Sequence, residues 1–129
     1  MFLASKTTTP LRKSTNHAKN GFVAKVVAEA RVLFEESTAT LFCGDLFTHT
    51  GNPPALTTND IVGPAKAAEA IFGASCLTPT TGSTIRKLAD RKPRTLAVMH
   101  GSSFNGDAAH ALRDLGDVYD AMLRAAEQR

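Results

Sequence analysis

Two side chains that could bind a metal stand at the ends of two apolar segments of this 129-residue sequence. Asp45 follows the segment Leu41-Phe42-Cys43-Gly44, and His100 follows Leu96-Ala97-Val98-Met99. Such short apolar runs predict buried strands, and carboxylate and imidazole groups at strand ends are common ligands of divalent metals. The pattern therefore predicts Asp45 and His100 as a pair of metal ligands. The alternatives are that Asp45 caps the loop after it and that His100 hydrogen-bonds to backbone at the end of its strand.

Groups near these two residues offer further chemistry. His49 lies in the loop after the first segment and His110 lies in the last predicted helix, and we expect both side chains to face solvent. The loop Gly101–Gly106 has small residues before a helix, so an alternative is that its backbone N–H groups bind an anion. The loop lacks the lysine of a phosphate loop and the last glycine of a nucleophile elbow. Its serines are therefore poor candidates for nucleophiles, and we predict no catalytic or cofactor-binding residue besides the two metal ligands.

The elements that must position these groups follow from the hydrophobic periodicity. The predicted order is a hairpin, two helices, a buried strand and a long final helix, with Asp60 and Asp107 as helix caps. The turn residues of Thr48–Asn59 predict a loop, and residues 23–30 are compatible with either a helix or a strand. This order predicts an α/β or α+β fold in which one sheet is layered with helices. The expected bounds are Arg31–Glu36 and Thr40–Asp45 for the hairpin, Val62–Gly73 and Ser83–Asp90 for the helices, and Thr95–Met99 for the strand.

Charge and composition restrict the possible partners. The net charge is +3, but residues 1–28 carry five basic residues and no acid, whereas the remainder carries all 12 acids and 10 basic residues. We therefore expect no nucleic-acid partner, and no apolar run approaches the ~20 residues of a membrane span. Residues 1–30 are interpreted as a basic leader that is disordered or foreign to the domain. Cys43 and Cys76 are expected to be small buried hydrophobes in a reducing compartment, which favours a cytoplasmic protein.

From Arg31 to its last residue, the sequence resembles the C-terminal half of metallo-β-lactamase-fold proteins, particularly the branch related to flavodiiron oxygen reductases. The resemblance is carried by residues 32–36, 41–47 and 95–104 in that order. It implies half of a four-layer αββα sandwich with one or two metals at the edge of its paired sheets, zinc in most hydrolases and iron in the oxygen reductases. It also implies that Asp45 is the carboxylate that bridges two metals and that His100 is the last histidine ligand. Residues 31–129 are accordingly identified as a partial metallo-β-lactamase-like domain.

The sequence departs from that family in its first half. It contains no HxHxDH or HxExDH run, and no histidine precedes the strand at Val32 in the matching frame. We therefore expect a metal-dependent, hydrolase-like protein that is truncated and inactive alone. Whether the chain is an enzyme is left open by the sequence. The alternatives are a diiron-type oxygen-binding protein and a non-enzymatic interaction or oligomerisation module. Because the second sheet is missing, we expect marginal stability or self-association, with a second copy or the missing N-terminal half as partner.

Overall fold

The structure, a computed structural model, describes residues 21–25, 31–73, 75 and 77–129. These residues form an α+β fold with a mixed six-stranded sheet and three helices, which confirms the predicted fold class. The strands are β1 (Gly21–Lys25), β2 (Arg31–Glu35), β3 (Thr40–Phe42), β4 (Leu56–Thr57), β5 (Thr95–Ala97) and β6 (Ser103–Asn105). The helices are α1 (Val62–Phe72), α2 (Thr81–Ala89) and α3 (Ala108–Glu127).

The sheet has the strand order β1-β2-β3-β5-β6-β4. Strands β1, β2 and β3 are consecutive antiparallel neighbours, whereas β3 and β5 are parallel, so the chain must cross from one to the other through α1 and α2. Strand β6 returns antiparallel to β5 and also pairs with the short parallel strand β4. This topology places the carboxyl ends of β3 and β5 side by side, which is the condition for the predicted site.

The turn between β2 and β3 is closed by the carboxylate of Glu35. Its two oxygens accept hydrogen bonds from the backbone N–H and the hydroxyl group of both Ser37 and Thr38, at 2.5–3.1 Å. The hydroxyl bonds contribute most, and together these bonds lower the pKa of Glu35 to about 2. The predicted hairpin and its tight turn are therefore confirmed, and the turn is fixed by side chains as well as by backbone.

One face of the sheet carries the core. The buried residues Val32, Phe34, Leu41, Leu96 and Phe104 share this face, because each is paired with the next across the strand registers or lies two residues away along a strand. All three helices contribute to the same core, through residues that include Ala65, Ile85, Leu88, Leu112 and Leu115. The helices therefore cover this inner face of the sheet.

The opposite face of the sheet is partly exposed to solvent, with Leu33 and Ala97 half-buried and Phe42 exposed. Leu33 of β2 is directly opposite Phe42 of β3, which in turn is directly opposite Ala97 of β5. Phe42 is 47% exposed, although it is adjacent to the fully buried Leu41. We call the surface formed by Leu33, Phe42 and Ala97 the outer face.

Helices α2 and α3 pack closely against each other because small residues lie at their crossing. Gly82 of α2 and Gly116 of α3 are both buried, and a side chain at Gly116 would lie 2.8 Å from the carbonyl oxygen of Gly82. The same crossing is joined by Arg86, which donates to Asp117 at 2.9 Å and to Asp120 at 2.8 Å. The bond to Asp120 and the charges of both carboxylates raise the pKa of Arg86. Helix α3 is thereby held in a fixed orientation beneath the sheet.

Most predicted elements lie where the sequence placed them, with shifts at their ends. Helix α2 begins at Thr81 instead of Ser83, and strands β4 and β6 lie in segments that we expected to be loops.

The buried state of Cys43 is confirmed, and burial raises the pKa of its thiol. None of the helices in the described ranges has the length and apolarity needed to cross a membrane.

The predictions for the leader and for Cys76 fall largely outside the described residues, namely on 1–20, 26–30 and 76. Within the segment interpreted as a leader, residues 21–25 form β1 and pair with β2. The ambiguous segment 23–30 is thus a strand as far as Lys25. The sheet therefore begins before the predicted domain start at residue 31.

Candidate functional site

The two predicted metal ligands lie next to each other. His100 Nε2 is 3.7 Å from Asp45 Oδ1, although the residues are 55 positions apart in the sequence. The N–H of Cys43 donates to the carbonyl of Ala97 at 3.0 Å, so the pairing of β3 with β5 continues to the point where the two strands end. Gly44, at φ 57°, then turns the chain and presents Asp45 at the sheet edge. The side chains of Asp45 and His100 are 68% and 57% exposed, so both are accessible to an ion or a ligand from solvent.

Asp45 and His100 line a cleft of about 370 Å³. Its opposite wall is the last part of α1, where Ala68 and Phe72 supply apolar surface and Glu69 supplies a second carboxylate. The residues that line the cleft are Asp45, Thr48, Ala68, Glu69, Phe72, Ser75 and His100. A cleft of this size with an apolar wall and a few convergent polar groups is typical of a small-molecule site.

A short hydrogen-bonded chain leads from this cleft towards the core. Ser75 Oγ lies 2.8 Å from Glu69 Oε1 and 3.1 Å from the hydroxyl of Tyr119. The Ser75 hydroxyl is placed to donate to either oxygen, and its one hydrogen can serve only one of them at a time. Burial raises the pKa of Tyr119, and the charge of Glu69 acts in the same direction. The chain fixes the Glu69 carboxylate at one side of the cleft.

The donor set fits part of a metal site. Zinc bonds of about 2.0–2.2 Å at a tetrahedral angle place two donor atoms about 3.4 Å apart, close to the separation of Asp45 Oδ1 and His100 Nε2. Within the described residues, however, no group of three or more histidine, cysteine, aspartate or glutamate side chains is arranged to hold a metal. A structural or catalytic zinc site uses at least three protein ligands. Asp45 and His100 are thus compatible with two ligands of such a site, and a complete site needs donors from elsewhere.

The predictions for the two other described histidines had different outcomes. The side chain of His110 is 68% exposed and lies 3.1 Å from the carboxylate of Asp114, as expected for a solvent-facing residue of α3. The expectation that His49 faces solvent is wrong, because His49 is only 8% exposed. Its Nδ1 is 2.7 Å from the carbonyl oxygen of Phe47, and its Nε2 accepts the N–H of Ser102 at 2.9 Å. Phe47, two residues earlier, is also buried, but it lies in a turn at φ 64°, so no strand periodicity in the sequence indicated the burial of His49.

Several N–H groups in and after the loop Gly101–Gly106 are already hydrogen-bonded within the protein. The N–H of Ser102 is bound to His49, and the N–H of Ser103 donates to the carbonyl of Ala55 at 2.9 Å. Residues 103–105 form β6 rather than an open cradle. At the beginning of α3, the N–H of His110 donates to Asp107, the predicted cap, and the N–H of Ala108 donates to the carbonyl of Gly106 at 2.8 Å. These hydrogen bonds argue against anion binding by this loop.

Comparisons with protein families, curated proteins and solved structures find no match to this chain. The two sources of information about function are therefore the sequence resemblance and the geometry of the cleft. The feature common to both is the pair Asp45 and His100.

Proposed function

We propose that the chain is a metallo-β-lactamase-like domain related to metal-dependent hydrolases, in which Asp45 and His100 are two ligands of a metal site. The observation that carries this proposal is their convergence, with 3.7 Å between His100 Nε2 and Asp45 Oδ1, at the edge of a cleft. The family resemblance assigns the same two residues to the metal. Zinc is the favoured ion because it is bound by carboxylate and imidazole groups together, and iron is the second candidate.

We expect the chain alone to bind zinc with low affinity and to have no hydrolytic activity. Two exposed ligands provide fewer bonds than the three or more that hold zinc in characterised sites. Further donors must then come from outside the described residues or from a second polypeptide. When bound in a complete site, the metal would activate water as a nucleophile at neutral pH. In that site Asp45 and His100 would hold the ion in the cleft that Phe72 also lines.

Zinc titration of the purified protein tests this proposal, with calorimetry for affinity and NMR for location. The chain contains its own matched control, because His110 and Asp114 form a second exposed histidine–aspartate pair that does not line the Asp45–His100 cleft. We expect Asp45→Asn or His100→Gln to abolish zinc binding, and His110→Gln to leave it unchanged. Absence of zinc binding by the unmodified protein, or equal losses at the two pairs, would contradict the proposal.

The outer face supports a second candidate function, a self-association module. Phe42 is 47% exposed at the centre of this face, between Leu33 and Ala97, and no described element covers it. Exposed apolar surface in the middle of a sheet favours burial against another surface. Sedimentation velocity over a hundredfold concentration range tests this candidate. We expect a concentration-dependent dimer that Phe42→Ser disrupts, and a monomer at every concentration would count against the module.

A further inference from the structure

The buried imidazole of His49 joins the two segments that carry the metal ligands. His49 follows Asp45 in the turn after β3, and its ring reaches the loop between β5 and β6. The Nε2 atom accepts the N–H of Ser102, whose own exposed fraction is 2%. The backbone N–H of His49 also donates to the carbonyl of His100 at 2.8 Å. One residue thus makes two hydrogen bonds to the loop that contains His100.

These partners fix the chemical form of the ring. Nε2 faces a backbone N–H group, which can only donate, so Nε2 must present its lone pair. Nδ1 lies 2.7 Å from the carbonyl oxygen of Phe47, which can only accept, so Nδ1 must carry the hydrogen. His49 is therefore held as the neutral Nδ1–H tautomer. Each ring nitrogen has its own hydrogen-bond partner, so the ring cannot rotate without losing a hydrogen bond.

The surrounding backbone is shaped to admit this ring. Gly101 has φ 137°, and a side chain at this position would lie 2.6 Å from Nε2 of His49. Ser102 is secured from its other side, because its hydroxyl donates to the carbonyl of Pro54 at 2.5 Å. The segment 101–102 is thus held between the His49 ring and the loop that contains Pro54. The position of His100, one residue earlier, follows from that of this segment.

We infer that His49 is a positioning residue for the site, and that its Nε2 acceptor sets the separation of Asp45 and His100. The inference depends on the proposed function, since it assigns His49 a role in metal binding. His49 itself would not be a metal ligand, because both of its ring nitrogens are already bonded within the protein. Its effect on metal binding would pass through the backbone of residues 100–102.

Two conservative variants distinguish the contribution of the Nε2 acceptor from that of the rest of the His49 ring. In His49→Gln the side-chain oxygen can occupy the place of Nε2 and accept from Ser102. In His49→Asn the shorter amide can reach only the place of Nδ1 and the carbonyl of Phe47. Both variants keep a polar side chain of comparable size, so far-UV circular dichroism should show the fold unchanged. We expect His49→Asn to weaken zinc binding about tenfold, as for other residues that orient metal ligands, and His49→Gln to remain within about twofold of the unmodified protein.

Two NMR measurements test the inference without metal. Hydrogen exchange of the Ser102 amide should be slow in the unmodified protein and in His49→Gln, and fast in His49→Asn. A nuclear Overhauser effect between the side chains of Asp45 and His100 should be lost only in His49→Asn. Equal zinc affinities for the two variants, or an unchanged Overhauser effect in His49→Asn, would overturn the inference. If the unmodified protein binds no zinc, the proposed function fails, whereas the exchange and Overhauser measurements still decide the role of His49.

Discussion

Replacement of Gly101 by alanine should destabilise the protein because the new methyl group would occupy the place of the His49 ring. The Cβ atom would lie 2.5 Å from Nδ1 and 2.6 Å from Nε2 of the imidazole. Heavy atoms cannot approach this closely, so the ring must leave its pocket. The φ of 137° at Gly101 is in addition a conformation that alanine adopts only with strain.

The size of the effect can be worked out from these two costs. A non-glycine residue in a sparsely populated backbone conformation costs about 1–3 kcal/mol. Displacement of the ring leaves the buried N–H of Ser102 without its acceptor, at a cost of about 1–3 kcal/mol. We therefore expect Gly101→Ala to lower the free energy of unfolding by about 2–6 kcal/mol, out of the roughly 5–15 kcal/mol of a typical domain.

Gly51 provides the matched control because alanine there would have the same kind of backbone strain without a clash with a neighbouring side chain. Its φ is 100°, and a Cβ atom there would have no neighbour within 4 Å. Gly51→Ala should therefore cost only about 1–3 kcal/mol. Urea denaturation followed by circular dichroism at 222 nm measures both variants, with an unchanged m-value as the sign that the same transition is observed. Losses that agree within about 0.5 kcal/mol would refute the argument that the His49 ring contributes to stability.

Three further predictions concern the sheet, its hairpin turn and its buried thiol. At low micromolar concentration, Leu41→Ala should lower the free energy of unfolding by about 3–5 kcal/mol and Phe42→Ala by about 1 kcal/mol. The reason is that only Leu41→Ala leaves a cavity in the core. Equal losses of the two variants in urea denaturation would contradict an open outer face. Because the folded-state pKa of Glu35 is about 2 against an ordinary 4.5, the carboxylate stabilises the fold above about pH 4.5, and this stabilisation is lost as the pH falls to about 2. Glu35→Gln should therefore flatten the dependence of stability on pH in that window. An unchanged dependence in Glu35→Gln would refute this prediction. In a Cys76→Ser background, Cys43 should react with Ellman's reagent only in urea, because burial raises the pKa of its thiol, and rapid reaction of the native protein would exclude that burial.

Local signals in the sequence were sufficient for the elements that depend on local chemistry. The cap residue Asp107 fixed the beginning of α3, where its side chain accepts the N–H of His110. Asp60 stands one residue before the N-cap position, which Ile61 occupies, and still accepts from the N–H groups of Val62 and Gly63 at the beginning of α1. These signals act over three residues or fewer, so the sequence alone contains them.

The features that the sequence did not indicate depend on distant partners. Strand β4 contains two residues and exists because Leu56 and Thr57 lie beside β6, some 47 positions later. The burial of His49 depends on Ser102, which is equally remote in the sequence. By contrast, the positions of Asp45 and His100 at the sheet edge could be predicted because each residue stands at the end of a recognisable strand. Their separation could not, since it depends on the register of β3 with β5 and, in the inference above, on the hydrogen bond between Ser102 and His49.

The parallel pairing of β3 with β5 has a consequence for the order of folding. Residues 40–42 pair with residues 95–97, and the chain between them contains α1 and α2, whereas β2 and β3 are joined by a turn of four residues. Closing the longer loop costs more entropy, so hairpin formation should precede the β3–β5 contact. We therefore expect the Asp45–His100 pair to form later than the β2–β3 hairpin. The appearance of the cleft then reports that β3 and β5 have paired.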